Sequence, residues 1–362
     1  MYIDVVFHLQ YKYANFSSLD YVHGGVGSVT FQLVKQRQDF SFGLFSGDIL
    51  NPVLEAVSNT VTFSNLKAPV FLQLATGSTW DGITVTWTSG CAKEAAVPLV
   101  KWGSDNENNS YFPPAITLSY SRKDMCGAPA RTVGWRDPGY FHTAYLKHLW
   151  PRTRYRYMVG HKLKSGEHVW GKKGFFTSAP SPGEESLQCV IIFGDMGKNE
   201  RDGLNEYNQY QHGVLNTTDQ LVKDVANYEV IFHVGDLSYA NGYISEWDQF
   251  TEQVGTIASN VLYMFANGNQ EQDFLGTGSF FQNLDSGGEC GVPAQTIYNM
   301  PTKNKAKYWY GMEWGMFHFC VADSEMDWRE GSEQCIFLEE CLASVDRQRQ
   351  PWLIFIAHCV LG

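Results

Sequence analysis

Two rhythms of apolar and polar residues divide the chain. Between residues 67 and 178, short apolar or alternating runs recur at 70–75, 82–89, 97–102, 140–146, 155–161 and 174–177, with turn clusters between them. Runs of that length and spacing predict antiparallel strands folded as a β-sandwich. From Leu187 the rhythm changes. Unbroken apolar runs at 190–193, 230–234, 261–265 and 353–356 alternate with longer amphipathic stretches. An unbroken run reads as a strand buried on both faces, and strand–helix alternation implies a largely parallel sheet covered by helices. Helices are expected at 244–258 and 331–345, and a third over 220–227 behind the cap-like cluster Asn216-Thr217-Thr218-Asp219. Residues 178–183 (SAPSPG) form a linker by composition, so 67–178 is expected to be separable as a soluble β domain. Residues 1–66 are aromatic and β-branched, with turn clusters at 24–27 and 46–52, and read as part of another small β region. The chain carries no internal repeat and no low-complexity tract.

Composition narrows the function classes. At 362 residues and 44% hydrophobic, the chain can bury a large core and has room for two or three domains. A net charge of −11 argues against nucleic acid as a partner, because phosphate backbones demand a basic surface. It does not exclude a phosphate substrate, since bound metal ions supply local positive charge. No apolar run approaches the roughly 20 residues of a membrane span. The first ten residues carry Asp4 and no basic stretch, and do not read as a signal peptide. None of the eight cysteines forms a CxxC pair, which argues against a zinc knuckle; their pairing and the oligomeric state are not legible. Asn15, Asn108 and Asn216 head N-x-S/T triplets, glycosylation acceptors if the chain is secreted.

Candidate chemistry sits where the C-terminal apolar runs end. Gly194-Asp195-Met196-Gly197, Gly235-Asp236-Leu237-Ser238-Tyr239 and Ala357-His358 directly follow such runs, and Gly268-Asn269-Gln270-Glu271 follows after two residues. Strand tips are where α/β folds gather their chemistry. Taken singly, each residue has an ordinary reading: a solvated turn Asp, a half-buried Tyr, an Asn-Gly turn, a structural His. Together, Asp195, Asp236, Tyr239, Asn269 and His358 are hard oxygen and nitrogen donors suited to a pair of transition metals.

At these runs the chain resembles the purple acid phosphatases of the metallophosphoesterase superfamily, in particular the large plant type with nucleotide pyrophosphatase/phosphodiesterase-like members. The likeness extends from about Asn51 to Gly362, through APARTVGWRD (128–137), FHVGDLSYANGY (232–243) and GGECGVP (287–293). It implies an α+β multidomain fold: a fibronectin-III-like β-sandwich over 67–178, then a metallophosphoesterase α/β/β/α sandwich over 187–362. It further implies hydrolysis at acidic pH of phosphate monoesters, or of nucleotide phosphodiester and pyrophosphate bonds. The implied cofactors are two metal ions, Fe(III) with Fe, Zn or Mn. Asp195, Asp236 and Tyr239 would hold the first, and Asp236, Asn269 and His358 the second. The implied location is secreted, cell wall or vacuolar.

The chain departs from the family pattern at several points. Gln270 stands where the family has the His that protonates the leaving group, Met326 where a His is expected, and Cys359 where close relatives tend to have Arg. The chain as written contains no GHxH motif. On that basis it reads as a C-terminally truncated homologue with an incomplete catalytic sandwich. Residues 187–362 are then not expected to be soluble alone, fewer than two metals should be held tightly, and activity should be weak or absent. The rival reading is a non-catalytic phosphate-binding or regulatory homologue.

Overall fold

In a computed structural model of the chain, which describes residues 2–3, 10–48, 50–92, 94–105, 110–205, 213–304 and 307–360, every apolar run named above is a strand. The N-terminal region contains β1 (Tyr2–Ile3), α1 (Leu19–Gly24), β2 (Phe42–Ser46) and β3 (Val53–Val57), its strands forming one antiparallel sheet. The sandwich follows: β4 (Val70–Thr76), β5 (Ile83–Ser89), β6 (Ala96–Ser104), β7 (Ile116–Leu118), β8 (Tyr140–Leu146), β9 (Arg154–Leu163) and β10 (His168–Thr177). Strands β4-β5-β8-β7 make one layer and β6-β9-β10 the other. Between them Val85, Trp87, Ala144, Tyr157 and Val159 are buried. The indole of Trp87 lies 5.4 Å from the His142 ring.

The C-terminal half holds β11 (Val190–Phe193), α2 (Val214–Asp224), β12 (Val230–Val234), α3 (Ser245–Ala258), β13 (Leu262–Ala266), α4 (Asn269–Gln272) and α5 (Val292–Ile297). It continues with β14 (Tyr310–Trp314), β15 (Phe317–Val321), α6 (Glu333–Ala343) and β16 (Trp352–Ile356). Strands β11-β12-β13 run parallel, and a second sheet orders β14-β15-β16. The two sheets face one another: the rings of Phe232 and Phe319 are 4.7 Å apart, and Tyr310 Oη donates to the Phe265 carbonyl at 2.7 Å. Helix α3 buries Trp247, Phe250, Val254 and Ile257, positions that return to one face of a 3.6-residue period. The C-termini of β11, β12, β13 and β16 deliver the four chemical runs to one end of this sandwich.

Three features of the fold lie outside the local pattern. Helix α2 starts at Val214, so Asn216-Thr217-Thr218-Asp219 lies inside it and is no cap. The Thr218 hydroxyl bonds back to the Val214 carbonyl at 3.0 Å, the alternative open to a threonine within a helix. Strand β10 begins six residues before the expected 174, because a bulge between Trp170 and Lys173 breaks its alternation. Strands β14 and β15 are obscured in the sequence because Gly311 and Glu313 interrupt the apolar run of β14 and His318 that of β15.

The composition break at 178–183 is not a break in packing. Strand β13 pairs with β4 in parallel at Leu262 and Leu74, so one seven-stranded sheet crosses from the C-terminal half into the sandwich. A single apolar core runs from Leu74 to Ile356. The buried Arg37 guanidinium holds both Asp248 oxygens on α3 at 2.9 Å, and Cys126 is disulfide-bonded to Cys290. A second disulfide joins Cys320 to Cys341. Asn15 and Asn216 are exposed, whereas Asn108 falls outside the described residues. Among the described residues no helix is long and apolar enough to cross a membrane.

These ties predict that proteolytic nicking between residues 178 and 187 leaves two pieces that co-elute in native size-exclusion chromatography, even after disulfide reduction. Separation of the reduced pieces would mean that the shared sheet and core do not hold them. Arg37→Ala, which leaves Asp248 buried without its partner, is expected to lower stability by about 3–5 kcal/mol in urea unfolding.

Candidate metal centre

Asp195 and Asp236 adopt left-handed backbone conformations, with φ of 57° and 51°, and Tyr239 does the same at 50°. Non-glycine residues rarely take this conformation, and it costs of order 1 kcal/mol or more each. The strained turn after β12 is held by Glu271 on α4. Its buried carboxylate accepts hydrogen bonds from Asp236 N at 2.8 Å, Leu237 N at 2.9 Å and Gly268 N at 3.2 Å. Glycine is required beside the site for want of space. A Cβ on Gly268 would lie 2.4 Å from Asp236 Oδ1, and one on Gly235 would lie 2.3 Å from His358 Nδ1.

The donor atoms of Asp195, Asp236 and His358 all lie within 4.8 Å of one another. His358 Nδ1 sits 3.0 Å from the Val234 carbonyl, which can only accept, so Nδ1 carries the hydrogen. In the neutral ring Nε2 then presents a lone pair. It faces Asn269 Oδ1 at 3.1 Å and Asp236 Oδ1 at 3.5 Å. The Asn269 amide is oriented by its NH2 end, which donates to Asp285 Oδ2 at 2.9 Å. With the ring neutral, three acceptors converge there, an arrangement that suits a cation. Tyr239 Oη stands 3.4 Å from Asp195 Oδ1. All five residues expected to ligate metal are therefore gathered at one end of the sandwich.

Electrostatics fit the same reading. Burial raises the Asp236 carboxyl above its ordinary value, against the opposing pull of His358. Burial, then the charges of Asp236 and Asp195, holds the Tyr239 phenol well above its usual range. A cation at the cluster would reverse both pressures. Gln270 directs its backbone N–H at Asp236 Oδ1, 3.0 Å away, while its side-chain Oε1 is buried without a hydrogen-bond partner.

Several supporting residues were given no role by the sequence. Glu271 stood inside one of the four runs, but its clamp needs two loops brought together. Buried His233 lies behind the Asp195 turn, with Nδ1 2.7 Å from Tyr263 Oη and Nε2 accepting from Met196 N at 3.4 Å. Burial pushes its pKa down to about 3, so the ring stays neutral. Glu289 accepts from Gly242 N at 2.7 Å and from Trp247 Nε1 at 2.8 Å, tying the loop that carries Asp285 to the loop after Asp236. Cys359 N donates to Ser324 Oγ at 3.0 Å, and burial followed by the neighbouring Glu325 pushes its thiol up to about 11. Met326 is half-buried one residue beyond Glu325. A second grouping, His318 with Cys320 and Cys341, offers no thiolate because the two cysteines are joined.

Comparison with known proteins shows the family. Two family models match: "Fn3-like domain from Purple Acid Phosphatase" over residues 5–65, and "Purple acid Phosphatase, N-terminal domain" over residues 69–178. The purple acid phosphatase PPD1 from yellow lupin seeds superposes with a TM-score of 0.94 at 58% identity, over 98% of this chain and 62% of the lupin chain. The chain belongs to the purple acid phosphatase family. A relative named "Probable inactive purple acid phosphatase 27" from Arabidopsis thaliana is 60% identical over 354 residues, 98% of this chain and 58% of the relative. A "Nucleotide pyrophosphatase/phosphodiesterase" from Hordeum vulgare is 59% identical over 197 residues, 54% of each chain. The chain thus spans a little over half the length of the curated relatives it matches. A purple acid phosphatase is a binuclear metallophosphoesterase, so metal ions are expected at the cluster. The expected order of folds also stands: an fn3-like region first, then the purple acid phosphatase catalytic fold.

The Glu289 clamp carries a pH signature. Burial pushes this carboxyl from its ordinary 4.5 up to about 8. A raised folded-state pKa means that the group's stabilising contribution is complete below about 4.5 and is lost as pH rises through 8. Urea midpoints of the unchanged protein should fall across that window, and Glu289→Gln should flatten the fall. A variant whose midpoints track the parent's at every pH would rule this assignment out.

Proposed function

We propose that this protein carries a two-metal phosphate-ester hydrolase site of the purple acid phosphatase kind from which the proton donor has been lost. The observation that carries the reading is the convergence of the Asp195, Asp236 and His358 donor atoms within 4.8 Å of one another, with Asn269 Oδ1 3.1 Å from His358 Nε2. Asp195, Asp236 and Tyr239 would hold a first ion of Fe(III) type. Asp236, Asn269 and His358 would hold a second, Fe, Zn or Mn. Such a pair, when bound, supplies the positive charge that clamps phosphate oxygens and lowers the pKa of water to give hydroxide at acidic pH. The substrate class is a small phosphate monoester, or a nucleotide phosphodiester or pyrophosphate.

The chain's own residues define what remains. Asp236 has two carboxylate oxygens and so can serve both ions. The Nδ1–H of His358, held on the Val234 carbonyl, keeps Nε2 turned into the cluster. Gln270 is the weak point. Its amide can donate a hydrogen bond to a departing oxygen but cannot transfer a proton at any useful pH. Loss of a general acid costs about 10²–10⁴ in rate. The name of the Arabidopsis relative, with the word "inactive", agrees with that expectation. The barley relative's name supports the nucleotide end of the substrate range. A secreted, cell-wall or vacuolar location follows from the family, and the exposed Asn15 and Asn216 suit it.

Gln270 also favours a second reading, a phosphate-binding or regulatory protein that keeps the pocket without turnover. The two readings part on one experiment: p-nitrophenyl phosphate hydrolysis near pH 5, measured together with metal content and phosphate affinity. The unchanged protein should turn over weakly, and Gln270→His should raise kcat by about 10² or more. If Gln270→His leaves kcat at the baseline while metal content and phosphate affinity are retained, the binding reading replaces the hydrolase.

A further inference from the structure

We infer that Asp285 is a positioning residue that fixes the amide of Asn269 with its oxygen, rather than its NH2 group, facing the metal-binding cluster. This rests on the metal-site reading above. An asparagine amide has two nearly isosteric ends, of which one only accepts and the other only donates. Only the oxygen end can ligate a cation, so a free amide would be in the wrong orientation for part of the time. At Asn269 the carboxylate of Asp285 favours one end. Nδ2 donates to Asp285 Oδ2 at 2.9 Å, and Oδ1 lies 3.1 Å from His358 Nε2. Turning the amide over would set Oδ1 against a carboxylate oxygen, exchanging a charge-assisted hydrogen bond for a repulsion. The carboxylate also polarises the amide and makes Oδ1 a stronger donor to a cation, the usual work of a group standing behind a ligand.

Two further observations favour a dedicated role. Among the described residues the Asp285 side chain makes no other hydrogen bond or ion pair. The loop that carries it is pinned on every side. Ser286 N donates to the Asp273 carbonyl at 3.1 Å, Glu289 holds Gly242 and Trp247, and Cys290 is bonded to Cys126. Gly287 packs so close to the Asn241 backbone that a Cβ would lie 2.0 Å from its oxygen. Asp285 is therefore delivered to Asn269 by a loop with little freedom to withdraw it.

The test is a double-mutant cycle on Zn²⁺ affinity, read by calorimetry on metal-stripped protein, with metal-free melting temperatures measured alongside. Asp285→Ala should weaken the Zn²⁺ Kd by about 10–100-fold. Asp285→Asn, which can still accept through its own amide oxygen, should fall between Ala and the unchanged protein. The Asp285→Ala/Asn269→Ala double variant should bind no more weakly than Asn269→Ala alone, because Asp285 acts through Asn269. The metal-free melting temperatures should stay together. If Asp285→Ala keeps the parent Kd while Asn269→Ala weakens it, the positioning role is overturned and the ligand reading survives. Losses that multiply in the double variant also overturn the positioning role, since Asp285 would then act on the metal independently. An unchanged Kd in Asn269→Ala overturns the ligand reading and this inference together.

Discussion

A buried carboxylate that caps three backbone N–H groups is the constraint on which the site depends. Glu271 is fully enclosed, and an ionisable group in such surroundings is costly unless its lone pairs are occupied. Asp236 N, Leu237 N and Gly268 N occupy them. Those donors belong to the turns after β12 and β13, so a single side chain locks two strand tips together. Asp236 is held in a left-handed conformation it would not choose, and Asn269 follows Gly268 directly into α4. The strain stored in these turns persists because the surrounding hydrogen bonds over-determine them.

The same logic extends outward to the β domain. Glu289 fastens the loop bearing Asp285 to Gly242 and to Trp247 on α3, and the Cys126–Cys290 bond fastens that loop to the sandwich. Arg37, contributed by the N-terminal region, grips Asp248 on α3. The β domains therefore act as a scaffold behind the cluster. They set the depth at which α3 and the 285–291 loop stand, and through Asp285 they reach Asn269.

Within this architecture Gln270 marks the separation of binding from proton transfer. Its backbone N–H still serves Asp236, so the position keeps its structural duty. The side chain is partly buried, with its Oε1 unpartnered, in the place where a proton donor would be most useful. On the proposed reading, positioning and charge neutralisation can survive such a change, because they would depend on Asp195, Asp236, Asn269 and His358. Protonation of the leaving group cannot, because no amide titrates in the relevant range.

The one-dimensional pattern determined whatever is local. The apolar runs placed ten strands, and the residues at their ends include Asp195, Asp236 and His358, whose donor atoms converge, because a strand tip and the turn behind it are encoded within a few neighbouring positions. Even there, local signals failed where a tertiary demand outweighed them: α2 ran through an apparent cap, and β14 formed despite an interrupting glycine and glutamate and β15 despite a histidine. Only the tertiary structure decided the partners of Glu271, the junction of β13 with β4, the pairing of Cys126 with Cys290 across 164 residues, and the contact of Asn269 with Asp285. A hydrogen bond or a disulfide between distant segments leaves no period and no spacing in the sequence, and arises only when the packing of the whole core fixes the distance between two loops.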